Sequence, residues 1–262
     1  MDLRFKPTEN IKKYLENSKI EKIGIGYSNS EVLKIEKDGK IFFLKTSDTG
    51  LLENEYKRLI WLKEKVGSLV PNVILFENKN GIEFLLTEAL KGEMICSEYY
   101  LNHPDEGMPI IIDAFNTLYN IDINDCPFDV SLDYKLSVVR NNLDKHFIKE
   151  EDVNQEILKK YGSLEGIYEF LVNNKFQEDL CFSHGDISLP NVFAKNGKLS
   201  GFIDVGDSGI ADRYFDIAIM TRTIMRNYGE EYVDKFYDSM GITPDRERID
   251  YYLTMMELYT WG

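Results

Sequence analysis

The sequence predicts an α+β fold in two lobes: an N-terminal antiparallel sheet with one main helix over residues 1–90, then a mostly helical lobe over 91–262. Three observations carry this reading. Up to about residue 90 the apolar residues come in short strand-like runs, broken once at 52–66, where Leu52, Tyr56, Leu59, Ile60 and Leu62 recur at near-helical spacing. From about residue 93 the spacing turns helical, first at 105–120 with Ile110, Ile111, Ala114, Phe115 and Leu118. A length of 262 residues, 43% hydrophobic and 13% aromatic, suits one two-lobed molecule with a sizeable core better than two independent domains.

The elements follow in order. Residues 1 to about 18 read as a short amphipathic helix with Ile11 and Leu15 on one face. Ile23-Gly24-Ile25-Gly26-Tyr27-Ser28 resembles a glycine-rich turn between two strands, in which Gly24 and Gly26 let the backbone approach phosphate oxygens. Asn29 stands where a third glycine would complete such a loop, so a plain hairpin turn is the competing reading. Val32–Ile35 and Ile41–Lys45 are strands around the turn Lys37-Asp38-Gly39-Lys40. The helix at 52–66 carries Glu53 and Glu55 in its first turns and Trp61 as an aromatic anchor. Glu83-Phe84-Leu85-Leu86-Thr87 reads as a buried strand, and 87–92 as a hinge whose backbone groups can meet the edge of adenine. Further helices are expected at 132–146, 164–174, 213–227, 230–240 and 245–259. The charged stretch 149–162, with Glu150, Glu151, Asp152 and Glu156, is less periodic and reads as a solvated face.

The chemistry is concentrated late in the chain. His184-Gly185-Asp186-Ile187-Ser188-Leu189-Pro190-Asn191 is followed by Phe202-Ile203-Asp204-Val205-Gly206. Asp186, Asn191 and Asp204 have the spacing of a kinase catalytic loop followed by a metal-binding loop. Phosphoryl transfer from ATP needs one carboxylate to orient and deprotonate the attacking hydroxyl. It also needs oxygen ligands for Mg²⁺, here an amide and a second carboxylate. Lys45, ending a strand of four apolar residues, is the candidate for the nucleotide phosphates, and such a lysine needs a carboxylate to hold it. Glu55 is the choice, one turn before Leu59 on a core-facing stripe. The residues do not separate ATP from GTP.

Composition sets limits on partners. A formal net charge of −14 argues against nucleic-acid binding and suits a polycationic small molecule. There is no run of 18 apolar residues, so no membrane span is expected, and Met1-Asp2-Leu3-Arg4-Phe5-Lys6 is too polar for a signal peptide. Cys96, Cys126 and Cys181 are too few and scattered for a disulfide framework or a zinc site, which suggests reduced thiols in the cytoplasm.

Nearly the whole chain resembles the aminoglycoside phosphotransferases, in particular the 3′-phosphotransferases. The resemblance is carried by Phe43-Leu44-Lys45, Glu55 with Trp61-Leu62, Pro71-Asn72-Val73, Thr87-Glu88-Ala89 and Cys96-Ser97-Glu98. It continues through Ile121-Asp122-Ile123 with Asp125-Cys126-Pro127, Phe182-Ser183-His184-Gly185-Asp186 and Gly201-Phe202-Ile203-Asp204. Ala211-Asp212, Asp216-Ile217-Ala218, Tyr251-Tyr252 and Glu257-Leu258 complete it.

The resemblance implies a protein-kinase-like fold and ATP- and Mg²⁺-dependent phosphorylation of a drug hydroxyl, the 3′-hydroxyl, by a monomer or weak homodimer. It implies that Asp186 acts on that hydroxyl, that Asn191 and Asp204 bind Mg²⁺, and that Lys45, held by Glu55, contacts the α- and β-phosphates. Ser28 would cap the β-phosphate, Phe43 would stack on adenine with Thr87 and Ala89 beside it, and His184 would brace the catalytic loop. Glu156, Asp152, Arg222 and Glu257 fall on the drug side. Asp152 adjoins Val153, which stands where an acid is expected. Asp207 stands where an arginine is common, and Arg226-Asn227 where two acids are common. Thr260-Trp261-Gly262 run past the usual aromatic end, here Tyr259, so the terminal carboxylate that helps relatives bind the drug is displaced. The rivals are a kinase of another small alcohol (choline, homoserine or macrolide type), a ligand-binding pseudokinase and a protein kinase. The pseudokinase is opposed by the presence of all five catalytic groups, the protein kinase by the lack of an Ala-Pro-Glu motif after Asp204.

Overall fold

Alternation along residues 31–47 resolves into two strands whose inward side chains bury completely. The computed structural model describes residues 5–23 and 30–259. It contains α1 (Glu9–Leu15), β1 (Lys19–Ile23), β2 (Glu31–Lys37), β3 (Lys40–Ser47), α2 (Leu52–Val66), β4 (Val73–Lys79) and β5 (Ile82–Glu88). The five strands form one antiparallel sheet in the order β1-β2-β3-β5-β4. The β2–β3 turn places Asp38 and Gly39 at φ 50° and 74°, the left-handed pair that a two-residue hairpin requires. One face of the sheet buries Leu33, Ile35, Phe42, Leu44, Phe84 and Leu86 against Ile11 of α1. Each such side chain contributes about 1.5–3 kcal/mol by leaving water. α1 is fastened to β4: Thr8 caps the helix through the Ile11 amide and also donates to Glu77, which accepts a second bond from Asn10 Nδ2 at 2.7 Å. The other face carries Phe43, Lys45, Leu85 and Glu83 and receives α2, whose buried side chains are Leu52, Glu55, Arg58, Leu59 and Leu62.

The chain forms two compact units. The first runs to Glu93 and also takes in Phe193–Gly206, which holds most of β8 (Val192–Lys195) and all of β9 (Lys198–Phe202). The second comprises Met94–Val192 and the chain from Asp207 onward, with the short β6 (Glu93–Met94) at the passage between them. The second unit holds α3 (Glu98–Asn102), α4 (Pro104–Tyr119), α5 (Leu132–Asp144), α6 (Gln155–Tyr161) and α7 (Leu164–Asn173). It continues with β7 (Leu180–Ser183), β10 (Gly209–Asp212), α8 (Arg213–Asn227), α9 (Glu231–Met240) and α10 (Arg246–Met256).

α8 is the spine of this second unit. Eight of its residues are buried, from Phe215 to Ile224. Asp212 caps it through the Tyr214 amide and also accepts the Tyr252 hydroxyl of α10 at 3.1 Å. Phe215 packs edge-on against Tyr252 and Tyr259, and Phe115 of α4 meets Phe236 of α9. β7 pairs antiparallel with β10, Ser183 opposite Gly209. The helical spacing beyond residue 93 gave no sign of β7, β8 or β10, each four residues long, whereas the apolar Phe202-Ile203-Asp204 stretch reads as a strand end and Phe202 closes β9. No helix among the described residues is long and apolar enough to cross a membrane.

Candidate active site

The sequence-predicted residues fall into two groups, one in each unit. In the first unit, Phe43 and Lys45 lie two apart on β3 and share a face, as strand geometry dictates. Opposite them on β5 stand Thr87 and Leu85. Lys45 Nζ donates to both carboxylate oxygens of Glu55, at 2.8 and 2.9 Å, and also pairs with Asp204. Burial by itself would lower the lysine's pKa. Glu55 and Asp204 outweigh it and hold the ammonium above the ordinary lysine range, a fixed cation. Asp204 follows β9 with φ 56°, a conformation uncommon outside glycine and frequent where function stores strain. The Ala89 amide is committed to the Ile41 carbonyl at 2.9 Å and the Glu88 amide to Asn72. Ser28 lies outside the described residues, as do Gly24 and Gly26.

In the second unit, β7 delivers the chain into the loop from His184 to Asn191. Asn191 Nδ2 donates to the Asp186 carbonyl and to Asp186 Oδ2, both at 2.8 Å. This bond orients the carboxylate and leaves the Asn191 carbonyl oxygen as the atom suited to a hard cation. His184, fully buried, accepts the Asp186 amide at Nδ1 at 3.3 Å, the bracing contact expected of it. Gly185 has φ 83°, and a Cβ there would stand 2.2 Å from the Asp207 carbonyl oxygen, so the loop admits only glycine.

Behind the loop stands a residue to which the sequence assigned no role. Asp216 of α8 is completely buried and accepts three hydrogen bonds: Ser183 Oγ at 2.9 Å, the His184 amide at 2.8 Å and the Gly185 amide at 3.1 Å. Burial raises its carboxyl pKa, while these bonds and the Lys135 ammonium oppose the shift. Lys135 is itself buried, with Nζ 3.8 Å from the Phe215 ring centroid. The signal available in the sequence was Asp216 one helical turn beyond Asp212 at the start of an apolar helix.

The drug-side candidates are partly brought together. Glu257 Oε2 accepts the Asn154 amide at 2.7 Å, and Asn154 Oδ1 accepts the Glu156 amide at 2.9 Å, so Glu257 sits at the start of the helix that carries Glu156. Asp152 turns back on its own segment and accepts the Lys149 amide at 3.2 Å. Arg222 is electrostatically coupled to Arg226, Glu257 and Asp186. Burial and Arg226 pull its pKa down, and the two acids oppose this.

Among the described residues no three His, Cys, Asp or Glu side chains gather as a metal site. Asn191 in the second unit and Asp204 in the first each offer side-chain oxygen, the donor type that Mg²⁺ prefers, whereas zinc sites are built from Cys and His.

Comparison with known proteins matches residues 19–252 to the model of the phosphotransferase enzyme family. An aminoglycoside 3′-phosphotransferase from Enterococcus faecalis is 35% identical over 258 residues, covering 95% of this chain and 97% of that protein. The crystal structure of an aminoglycoside 3′-phosphotransferase of type VIII aligns with a TM-score of 0.81 at 25% identity, covering 96% of this chain and 100% of the other. An aminoglycoside phosphotransferase from Streptomyces rimosus, in complex with ADP and streptomycin, has the same fold at a TM-score of 0.72 and 24% identity, covering 93% of each chain.

Proposed function

Because the chain belongs to the phosphotransferase enzyme family, we propose that it transfers the γ-phosphate of ATP to the 3′-hydroxyl of an aminoglycoside and so confers resistance. The observation that carries the reading is the setting of Asp186: its carboxylate is oriented by Asn191 while Asp216 clamps the backbone just before it. A carboxylate held in this way can accept a hydrogen bond from an alcohol and take its proton as attack proceeds.

The nucleotide would engage the first unit. Lys45, fixed by Glu55, supplies positive charge to the α- and β-phosphates, Phe43 offers a ring to adenine, and Ser28 caps the β-phosphate. Thr87 and Ala89 lie beside the base; with the Ala89 amide bonded to Ile41, what that strand offers is its remaining backbone groups. Asn191 and Asp204 would hold Mg²⁺, which when bound neutralises phosphate charge. GTP remains an alternative donor.

On the acceptor side, Glu156, Asp152 and Glu257 supply negative charge for the drug's ammonium groups, and Arg222 orders Glu257. The net charge of −14 favours such a polycation over any nucleic acid. We place the enzyme in the cytoplasm, away from the membrane, as a monomer or weak homodimer with residues 87–92 as the hinge between its lobes. One observation favours the rival small-alcohol kinase: Arg222, whose charge interacts with Asp186 and Glu257, has a second cation, Arg226, acting on it.

ADP release in a coupled assay separates the two readings. A panel of kanamycin- and neomycin-like drugs should be turned over, while choline, homoserine and a macrolide should not. Turnover of one of these alcohols without turnover of any aminoglycoside would overturn the proposal.

A further inference from the structure

α2 begins without a cap of its own. Leu51, its N-cap residue, has no side chain that can accept a hydrogen bond, so the first amides of the helix need an acceptor from elsewhere. Glu83 of β5 supplies one: its Oε2 accepts the Leu52 amide at 2.9 Å. Glu83 is 0% exposed, a carboxylate within a strand whose next three residues, Phe84, Leu85 and Leu86, are apolar and buried. Taking a carboxylate out of water is costly, and a helix N-terminus offsets that cost with its N–H donors and dipole.

The position matters because of what lies on either side. In the β3–β5 register Glu83 stands opposite Ser47, and Lys45 opposite Leu85. Directly opposed residues share a face, as do residues two apart on one strand, so Glu83 and Lys45 lie on the same face of the sheet. On α2, Leu52 and Glu55 are three residues apart and lie on the buried face with Leu59 and Leu62. Contacts therefore run without a gap from Glu83 to the Leu52 amide, along one helical turn to Glu55, and from Glu55 to Lys45 at 2.8 Å.

We infer that Glu83 is a positioning residue for nucleotide binding: by tying the first turn of α2 to the sheet, it sets where Glu55 presents its carboxylate and so where the Lys45 ammonium stands. Glu83 acts through Glu55 and Lys45. The inference rests on the reading of Lys45 as the phosphate-binding lysine.

The test is calorimetric titration of ADP and Mg²⁺ into the whole protein, beside steady-state kinetics and thermal unfolding of each variant. Glu83→Ala should weaken nucleotide binding by about tenfold, the scale of a lost helix cap, and leave the aminoglycoside KM unchanged. Glu83→Gln keeps an acceptor for the Leu52 amide and should retain most of the affinity. In a Glu55→Gln background, Glu83→Ala should weaken binding no further, because the route it acts through is already broken. If Glu83→Ala does not fold, Glu83→Asp, which withdraws the acceptor by one methylene, takes its place with the same expectations. Wild-type nucleotide affinity in the folded variant, or a full additional loss on top of Glu55→Gln, overturns the inference. ADP titration does not depend on which alcohol is phosphorylated. Failure to turn over any aminoglycoside would therefore count against the proposed function and not against Glu83.

Discussion

The carboxylate of Asp216 accepts the backbone amide of His184 at 2.8 Å, two residues before Asp186. The geometry of the loop is therefore set from α8, by a buried carboxyl group that also holds Ser183 and Gly185. Asp216→Asn keeps the shape but replaces an acceptor oxygen by an N–H donor facing other donors. Leaving buried amides unsatisfied costs about 1–3 kcal/mol. We expect a lower melting temperature and a reduced kcat, with the nucleotide KM little changed. Ser183→Ala, which removes one of the three bonds, should show the same pattern at about 1 kcal/mol or less. An Asp216→Asn enzyme with wild-type kcat would show that the loop holds itself.

Asp204 and Asn191 differ in charge, and a carboxylate contributes more to a divalent cation than an amide does. Asp204→Ala should therefore abolish the dependence of nucleotide affinity on Mg²⁺, and Asn191→Ala should only weaken it. Nucleotide titrations with and without Mg²⁺ decide the matter; equal Mg²⁺ dependence in wild type and Asp204→Ala would remove Asp204 from the metal site.

Glu257 accepts the Asn154 amide at 2.7 Å, and its charge opposes the lowering of the Arg222 pKa. Because it is only partly buried, its truncation is expected at the low end for a charged pair, about 1–2 kcal/mol. Glu257→Ala should raise KM for every drug by roughly tenfold and leave the nucleotide KM alone. Arg226→Glu should lower KM for at least one drug by removing a repulsive charge, an effect that fades with added salt. Unchanged drug KM values in Glu257→Ala would contradict an anionic pocket at this place.

Glu77 anchors α1, and its hydrogen bonds from Thr8 and Asn10, together with Lys79 and Lys13, hold its carboxyl below the usual glutamate range. A carboxyl lowered in the folded state contributes stability above its unfolded value, and that contribution is lost as pH falls through the folded value. The difference in melting temperature between wild type and Glu77→Gln should thus be constant above about pH 5 and shrink below about pH 4. A difference independent of pH would mean that the charge of Glu77 plays no part.

Much of this arrangement was legible in the residues themselves. The spacing of Leu52, Leu59 and Leu62 located α2, and the run Ile41–Lys45 fell within β3, because both elements bury one regular face. The spacing of Asp186 and Asn191 marked a loop whose two ends the structure joins by hydrogen bonds, because that loop is local in sequence. Contacts set by tertiary structure were not legible. Glu83 reads as an interruption in an apolar strand until the Leu52 amide is seen beside it, and Asp216 reads as one more acid in a first turn until the loop it holds comes into view. β7 and β10 are too short to show a period and exist because each satisfies the other's backbone. Among the described residues, the helix expected within 1–18 covers Glu9–Leu15 and the one expected at 245–259 covers Arg246–Met256, since helix ends depend on caps such as Thr8 and Asp245.

The most direct test is phosphorylation of an aminoglycoside that carries a 3′-hydroxyl against its 3′-deoxy analogue, by wild type and by Asp186→Ala, with the product's phosphorylated position read by NMR. The wild-type enzyme should phosphorylate the first drug on the 3′-oxygen and leave the deoxy analogue untouched. Asp186→Ala should bind nucleotide normally and turn over about 10²–10⁴-fold more slowly. Equal turnover of both drugs, or undiminished turnover by Asp186→Ala, would contradict the account.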